Sequence, residues 1–138
     1  MAGRPVVVVG VRDPGDADAA LAFAFEEAER RGAILVAVHT WHVFAPELRV
    51  AGDPVMISAH PRHQLAEMIA PWRARYPAVQ VVSEVVRGSP ARVLADMSAH
   101  ADLVVLGRHD TGGTGVATVP HRVLGHARGP VAVIPARD

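Results

Sequence analysis

Five short runs of aliphatic and β-branched residues, separated by segments of helical spacing, constrain the fold of this chain more than any other feature. The runs are Pro5–Val11, Ala33–His39, Val79–Val86, Asp102–Gly107 and Pro130–Pro135. Each has the length of a strand. The first, second and fourth are almost unbroken apolar segments, as strands are when helices cover both faces of their sheet. Strand, helix, strand, repeated four times, predicts a parallel sheet, and right-handed crossovers make it a doubly wound α/β sandwich of five strands. At 138 residues, with no linker, repeat or low-complexity tract, the chain is expected to be a single domain over residues 1–138.

The helical segments carry their own punctuation. Over Asp16–Arg31 the residues Ala17, Leu21, Ala24, Phe25 and Ala28 form one apolar stripe, with Glu26, Glu29 and Arg30 elsewhere and Gly32 as the C-terminal cap. A second helix is expected over Ala59–Tyr76, where Pro61 can sit in the first turn and Pro71 predicts a kink or an early stop. Ser89 and Pro90 open a third, as hydroxyl cap and first-turn proline, and Leu94, Met97 and Ala101 give it an inward face. The last helix starts near Thr118, with Pro120 in its first turn. The longest irregular stretch, Thr40–Ser58, has the length of a lid or a partner surface.

Composition excludes several chemistries. Cysteine is absent, which removes disulfides, thiol catalysis and Cys-ligated metal centres. All 14 basic residues are arginine, so a lysine-dependent phosphate loop or Schiff base is excluded. Basic and acidic residues balance at 14 each, and no basic stripe marks a nucleic-acid surface. No apolar stretch is long enough for a membrane span, and Met1–Pro5 has no signal-peptide pattern, so a cytoplasmic location is expected.

In an open α/β sheet, ligands bind at the carboxyl ends of the strands where strand order reverses. The informative loops are therefore residues 10–16 and 107–115. The second is the better candidate: its glycines let backbone N–H groups approach an anion, a helix N-terminus follows, and Arg108 supplies charge. The eight histidines form no three- or four-ligand set at metal spacing. His60 and His63, His39 and His42, and His121 and His126 read as surface or packed side chains, whereas His109 lies in the candidate loop. Of the four serines none sits in a nucleophile elbow, and Ser98 has no predicted base beside it, so the chain is expected not to be an enzyme. Trp72 and Tyr76, four apart, either pack against the sheet or face a partner.

Several blocks together resemble the universal stress protein family over nearly the whole chain. They are Val6–Val11, Ala70–Pro77, Val86–Leu94, Ala101–Gly107 and Gly129–Pro135, in the family's order. The resemblance implies a Rossmann-like three-layer sandwich of the adenine nucleotide alpha hydrolase type. It also implies a stress-response role, at most a slow ATP hydrolysis, and a homodimer formed through the last strand, at Val131 and Val133. Members that bind ATP carry an Asp shortly after the first strand. After the fourth strand they carry Gly-x-x-Gly, nine residues and Gly-Ser/Thr. Gly107 and Thr118 match this pattern. Arg12 stands at the Asp position with Asp13 beside it, Asp110 replaces the second glycine, Ala117 replaces the third, and the intervening loop is three residues shorter.

Carried onto this sequence, the implied nucleotide contacts are Gly10, Arg12, Asp13 and Val38 from the first two strand ends, and Leu106, Gly107, Arg108, His109, Gly112, Gly113, Thr118 and Val119 from the fourth. Two functions stay open. One is a regulator switched by ATP with Mg, acting on a regulatory protein partner. The other is a nucleotide-free dimeric module that binds a protein or another small ligand, favoured by a carboxylate at Asp110 where phosphates would lie.

Overall fold

The computed structural model describes residues 3–11, 14–41, 54–107, 123 and 127–135. Five strands form one sheet: β1 (Val6–Gly10), β2 (Ile34–Trp41), β3 (Val81–Arg87), β4 (Leu103–Gly107) and β5 (Val131–Ile134). All pairings are parallel, in the order β3-β2-β1-β4-β5. The strands that read as continuous apolar runs lie inside the sheet, and β4 is buried at all five positions. Edge strand β3 instead mixes half-buried and exposed residues.

Helices α1 (Pro14–Arg31) and α2 (Pro54–Arg75) pack on one face and α3 (Pro90–Met97) on the other. The α1 stripe is as expected, since Ala17, Leu21, Ala24, Phe25 and Ala28 are each at most 5% exposed. Gly32 ends that helix at φ +63°, a conformation that costs other residues a steric clash at Cβ. Trp72 and Tyr76 resolve in favour of packing, but their partner is a helix as well as the sheet. Their rings lie 6.4 and 5.7 Å from the Phe25 ring on α1.

Two expectations for α2 are corrected. It begins at Pro54, five residues before the predicted start, and it runs without a break through Pro61 and Pro71. Leu65 and Ile69 are enclosed, at 0% and 1% exposure, and anchor one side against α1 and β3. Pro71 is exposed, so the carbonyl whose helical partner it removes can turn to water. The irregular stretch shortens accordingly. Thr40 and Trp41 extend β2, residues 54–58 belong to α2, and residues 42–53 lie outside the described residues.

The start of α3 is also corrected. Ser89 occupies the N-cap position, yet its side chain makes no capping bond. Pro90 supplies the preset first turn, and the Ser89 carbonyl accepts from the Val93 N–H. The preceding turn depends on Gly88 at φ +145°, where a Cβ would also lie 3.3 Å from the Val93 side chain. Past the helix, a short turn at Ser98–His100 holds the approach to β5. The buried Ser98 hydroxyl donates to the Ala95 carbonyl and accepts from the Arg128 N–H at 2.8 Å. A Cβ on Gly129 would meet the Ser98 carbonyl at 3.1 Å, which explains the glycine there. At the same amino end of the sheet, Asp102 secures β1 to β4. Its carboxylate accepts from the Val6 N–H at 2.7 Å, and its own N–H donates to the Val6 carbonyl.

The outer edge of β5 has a definite polarity. The Pro130 carbonyl accepts from the Val104 N–H, so Pro130, Ala132 and Ile134 turn their backbone groups to β4. By alternation, Val131 and Val133 turn theirs to the open edge.

Candidate functional site

Strand order reverses between β1 and β4, because β2 and β3 lie to one side of β1 and β5 lies beyond β4. A crevice at the carboxyl ends of this pair is where such a sheet binds ligands. The topology brings four of the twelve candidate residues to that edge. Gly10 pairs with Val38, while Leu106 and Gly107 pair with Val133 and Ile134 on the other side. Arg12, Asp13, Arg108, His109, Gly112, Gly113, Thr118 and Val119 lie outside the described residues, as do Asp110 and Ala117.

Val38 and Leu106 are 1% and 0% exposed and belong to the apolar cluster beneath α3, with Val8, Leu94, Val104 and Val123. Their side chains build the floor, and what they offer at the strand ends is backbone. Gly10 answers to packing as well as to any ligand. A Cβ there would lie 2.8 Å from Leu94 Cδ1, so a larger residue would force the Leu94 side chain of α3 to shift. Val123 joins the same cluster, fully buried, and its carbonyl accepts from the Ala127 N–H.

One contact at the site escaped the sequence reading. Val11 lies just past β1, and its N–H donates to the Val38 carbonyl at 2.8 Å. The Val11 carbonyl accepts from His39 Nδ1 at 2.9 Å. Consecutive residues of β2 thus grip both polar groups of Val11, the last described residue before Arg12 and Asp13. The signal was His39 itself, placed two residues after the buried Ala37 and therefore on the α1 face. His63 is a surface side chain, in line with its reading, and its Nε2 lies 2.9 Å from Glu67, a carboxylate four residues on. That pair is exposed, and among the described residues no three His, Asp or Glu side chains converge as a metal site. Ser98 is engaged on both sides by backbone groups, a structural role rather than a nucleophile's.

Comparison with known proteins agrees with this architecture. The model of the universal stress protein family matches residues 4–135. A universal stress protein of Mycobacterium tuberculosis, Rv2005c, is 42% identical over 130 residues, covering 92% of this chain and 44% of its own length. One from Mycolicibacterium smegmatis is 37% identical over 137 residues, covering 97% of this chain and 47% of its own. The chain therefore spans under half the length of these relatives. Among solved structures, a universal stress protein family member from Burkholderia pseudomallei superposes with a TM-score of 0.71 at 27% identity, covering 96% of this chain and 97% of its own. The same fold recurs in a universal stress protein in complex with cAMP, at TM-score 0.71 and 19% identity, covering 99% of this chain and all of that one. It recurs again in one from Archaeoglobus fulgidus in complex with dAMP, at TM-score 0.65 and 20% identity, covering 97% and 99%. A sheet ordered 3-2-1-4-5, matched over almost its whole length by sequence and by structure, places the chain in the universal stress protein family.

Proposed function

We propose that this chain is a stress-response regulator that binds an adenine nucleotide at the β1/β4 switch point and acts as a homodimer in the cytoplasm, without turnover chemistry. The observation that carries the reading is the carboxyl edge of the sheet. Two adjacent strands end in glycine there, Gly10 and Gly107, above an apolar floor, at the position where this sheet order binds ligands. Glycine ends let a flat base or a phosphate approach the backbone. The structural neighbours in complex with cAMP and dAMP support an adenine nucleotide as the ligand class. Arg12 and Arg108, one in each flanking loop, would supply the charge for phosphate and offset Asp110. Mg would be held, if at all, by Asp13 or Asp110, the carboxylates of those loops.

For the dimer, the support is the outer β5 edge, where the backbone groups of Val131 and Val133 pair with no strand among the described residues. A cytoplasmic setting accords with the described residues, among which no helix is long and apolar enough to cross a membrane. The second reading, a nucleotide-free module, draws on Arg12, Asp110, Ala117 and the shortened loop.

Thermal melts with millimolar Mg-ATP, cAMP or AMP, against plain salt, decide between them. A ligand at one hundred times its dissociation constant adds about 2.7 kcal/mol. With an unfolding entropy of roughly 0.3 kcal/mol/K for a chain of this length, the midpoint rises by about 9 °C. Equal melting in every nucleotide at that concentration refutes the nucleotide reading in favour of the second.

A further inference from the structure

We infer that His39 is a positioning residue for nucleotide binding, acting through the Val11 carbonyl to set how the chain leaves β1; this rests on the nucleotide reading above. The regular pairing of β1 with β2 stops at Gly10 and Val38. Val11, one residue later and 4% exposed, is nevertheless held at both polar groups, by the Val38 carbonyl at 2.8 Å and by the His39 imidazole at 2.9 Å. A carbonyl only accepts, so the proton of this bond belongs to Nδ1. The half-buried ring keeps water from competing for the carbonyl. A peptide unit is planar, so fixing the direction of one carbonyl fixes the direction in which the next residue departs.

Next in sequence after Val11 are Arg12 and Asp13, the nucleotide contacts that the family resemblance implies beyond β1. Strand β2 is well suited to the task. It continues three residues beyond Val38 and stays paired with β3 at His39, Thr40 and Trp41, so His39 stands on a rigid support rather than on a loop. Binding at the switch point then depends on a side chain that need not touch the ligand.

Two substitutions separate this role from packing. His39→Asn keeps a donor near the position of Nδ1, whereas His39→Leu keeps comparable bulk and removes the donor. Nucleotide affinity is measured by calorimetry with Mg-ATP and with AMP on the full chain, alongside a urea midpoint for each variant. The expected result is a loss of about fivefold or more in affinity for His39→Leu, and affinity for His39→Asn within about threefold of the parent. Equal losses in the two variants assign His39 to packing and overturn the proposal, as does an unchanged affinity in His39→Leu. A parent protein that binds neither nucleotide overturns the nucleotide reading and the positioning role together. Nitrogen NMR of the imidazole in the ligand-free protein supplies the independent check: a ring that carries a proton on Nδ1 supports the clamp, and one protonated on Nε2 alone refutes it.

Discussion

Replacing Ser98 by alanine removes one atom from a site where that atom joins two parts of the fold. The hydroxyl is buried, with the residue 2% exposed. It gives its proton to the Ala95 carbonyl and takes the Arg128 N–H at 2.8 Å, so α3 is tied to the segment that feeds β5. In Ser98→Ala the Arg128 N–H loses its acceptor. A buried donor left unpaired costs roughly 1–3 kcal/mol, and the partial exposure of this one, which admits water, brings the expected cost to about 1–2 kcal/mol. Dividing by an unfolding entropy of roughly 0.3 kcal/mol/K gives a fall in the melting midpoint of about 3–7 °C. The assay is a thermal melt at matched protein concentration, with hydrogen exchange followed over residues 127–135. The Arg128 amide and the β5 amides should exchange faster, while those of β1 and β2 change only as far as global stability does. A midpoint within about 1 °C of the parent, with the Arg128 amide still protected, would refute the reasoning and show that β5 is held by its ladder to β4 alone.

Gly10→Ala should destabilise by about 1–3 kcal/mol, because the new Cβ would lie 2.8 Å from Leu94 Cδ1 in a filled core. Leu94→Ala in the same chain opens that space, so a double-mutant cycle in urea should show the two substitutions costing less together than separately. Trp72→Ala removes the ring that stacks on Phe25 and should cost about 2–4 kcal/mol, seen as a lower urea midpoint. If β5 joins two copies, Val133→Pro should yield monomers in light scattering. It deletes an N–H that faces the open edge and leaves the bonds to β4 in place. A persistent dimer in that variant would move the interface elsewhere.

Much of the fold was legible in the residues because burial on two faces leaves a plain mark on a strand. The valines of β1 and the apolar run of β4 could be interior strands of a parallel sheet and little else. The α1 stripe and its glycine stop were equally direct, since a period of 3.6 and a positive φ are local properties. α2 was not legible in the same way. Pro61 and Pro71 argue locally for interruption, but the anchorage of Leu65 and Ile69 on α1 and β3 outweighs the two backbone bonds that these prolines remove. Ser89 misled in the opposite sense. Its type and place suit a cap, yet whether the hydroxyl turns to the helix depends on geometry that no residue pattern encodes.

The candidate site divides along the same line. By itself the sequence determined the switch-point architecture, the glycines at the ends of β1 and β4, and the exclusion of thiol and lysine chemistry, because these follow from residue type and order. Tertiary structure alone decided what each residue does there. Gly10 makes room for Leu94, Ser98 joins α3 to the approach to β5, and His39 grips Val11, partners separated by 84, 30 and 28 positions in the chain. Contacts across such distances exist only once the sheet has assembled. Periodicity and propensity report on the few residues nearest in sequence, and the sites of chemistry are made by residues that folding brings together.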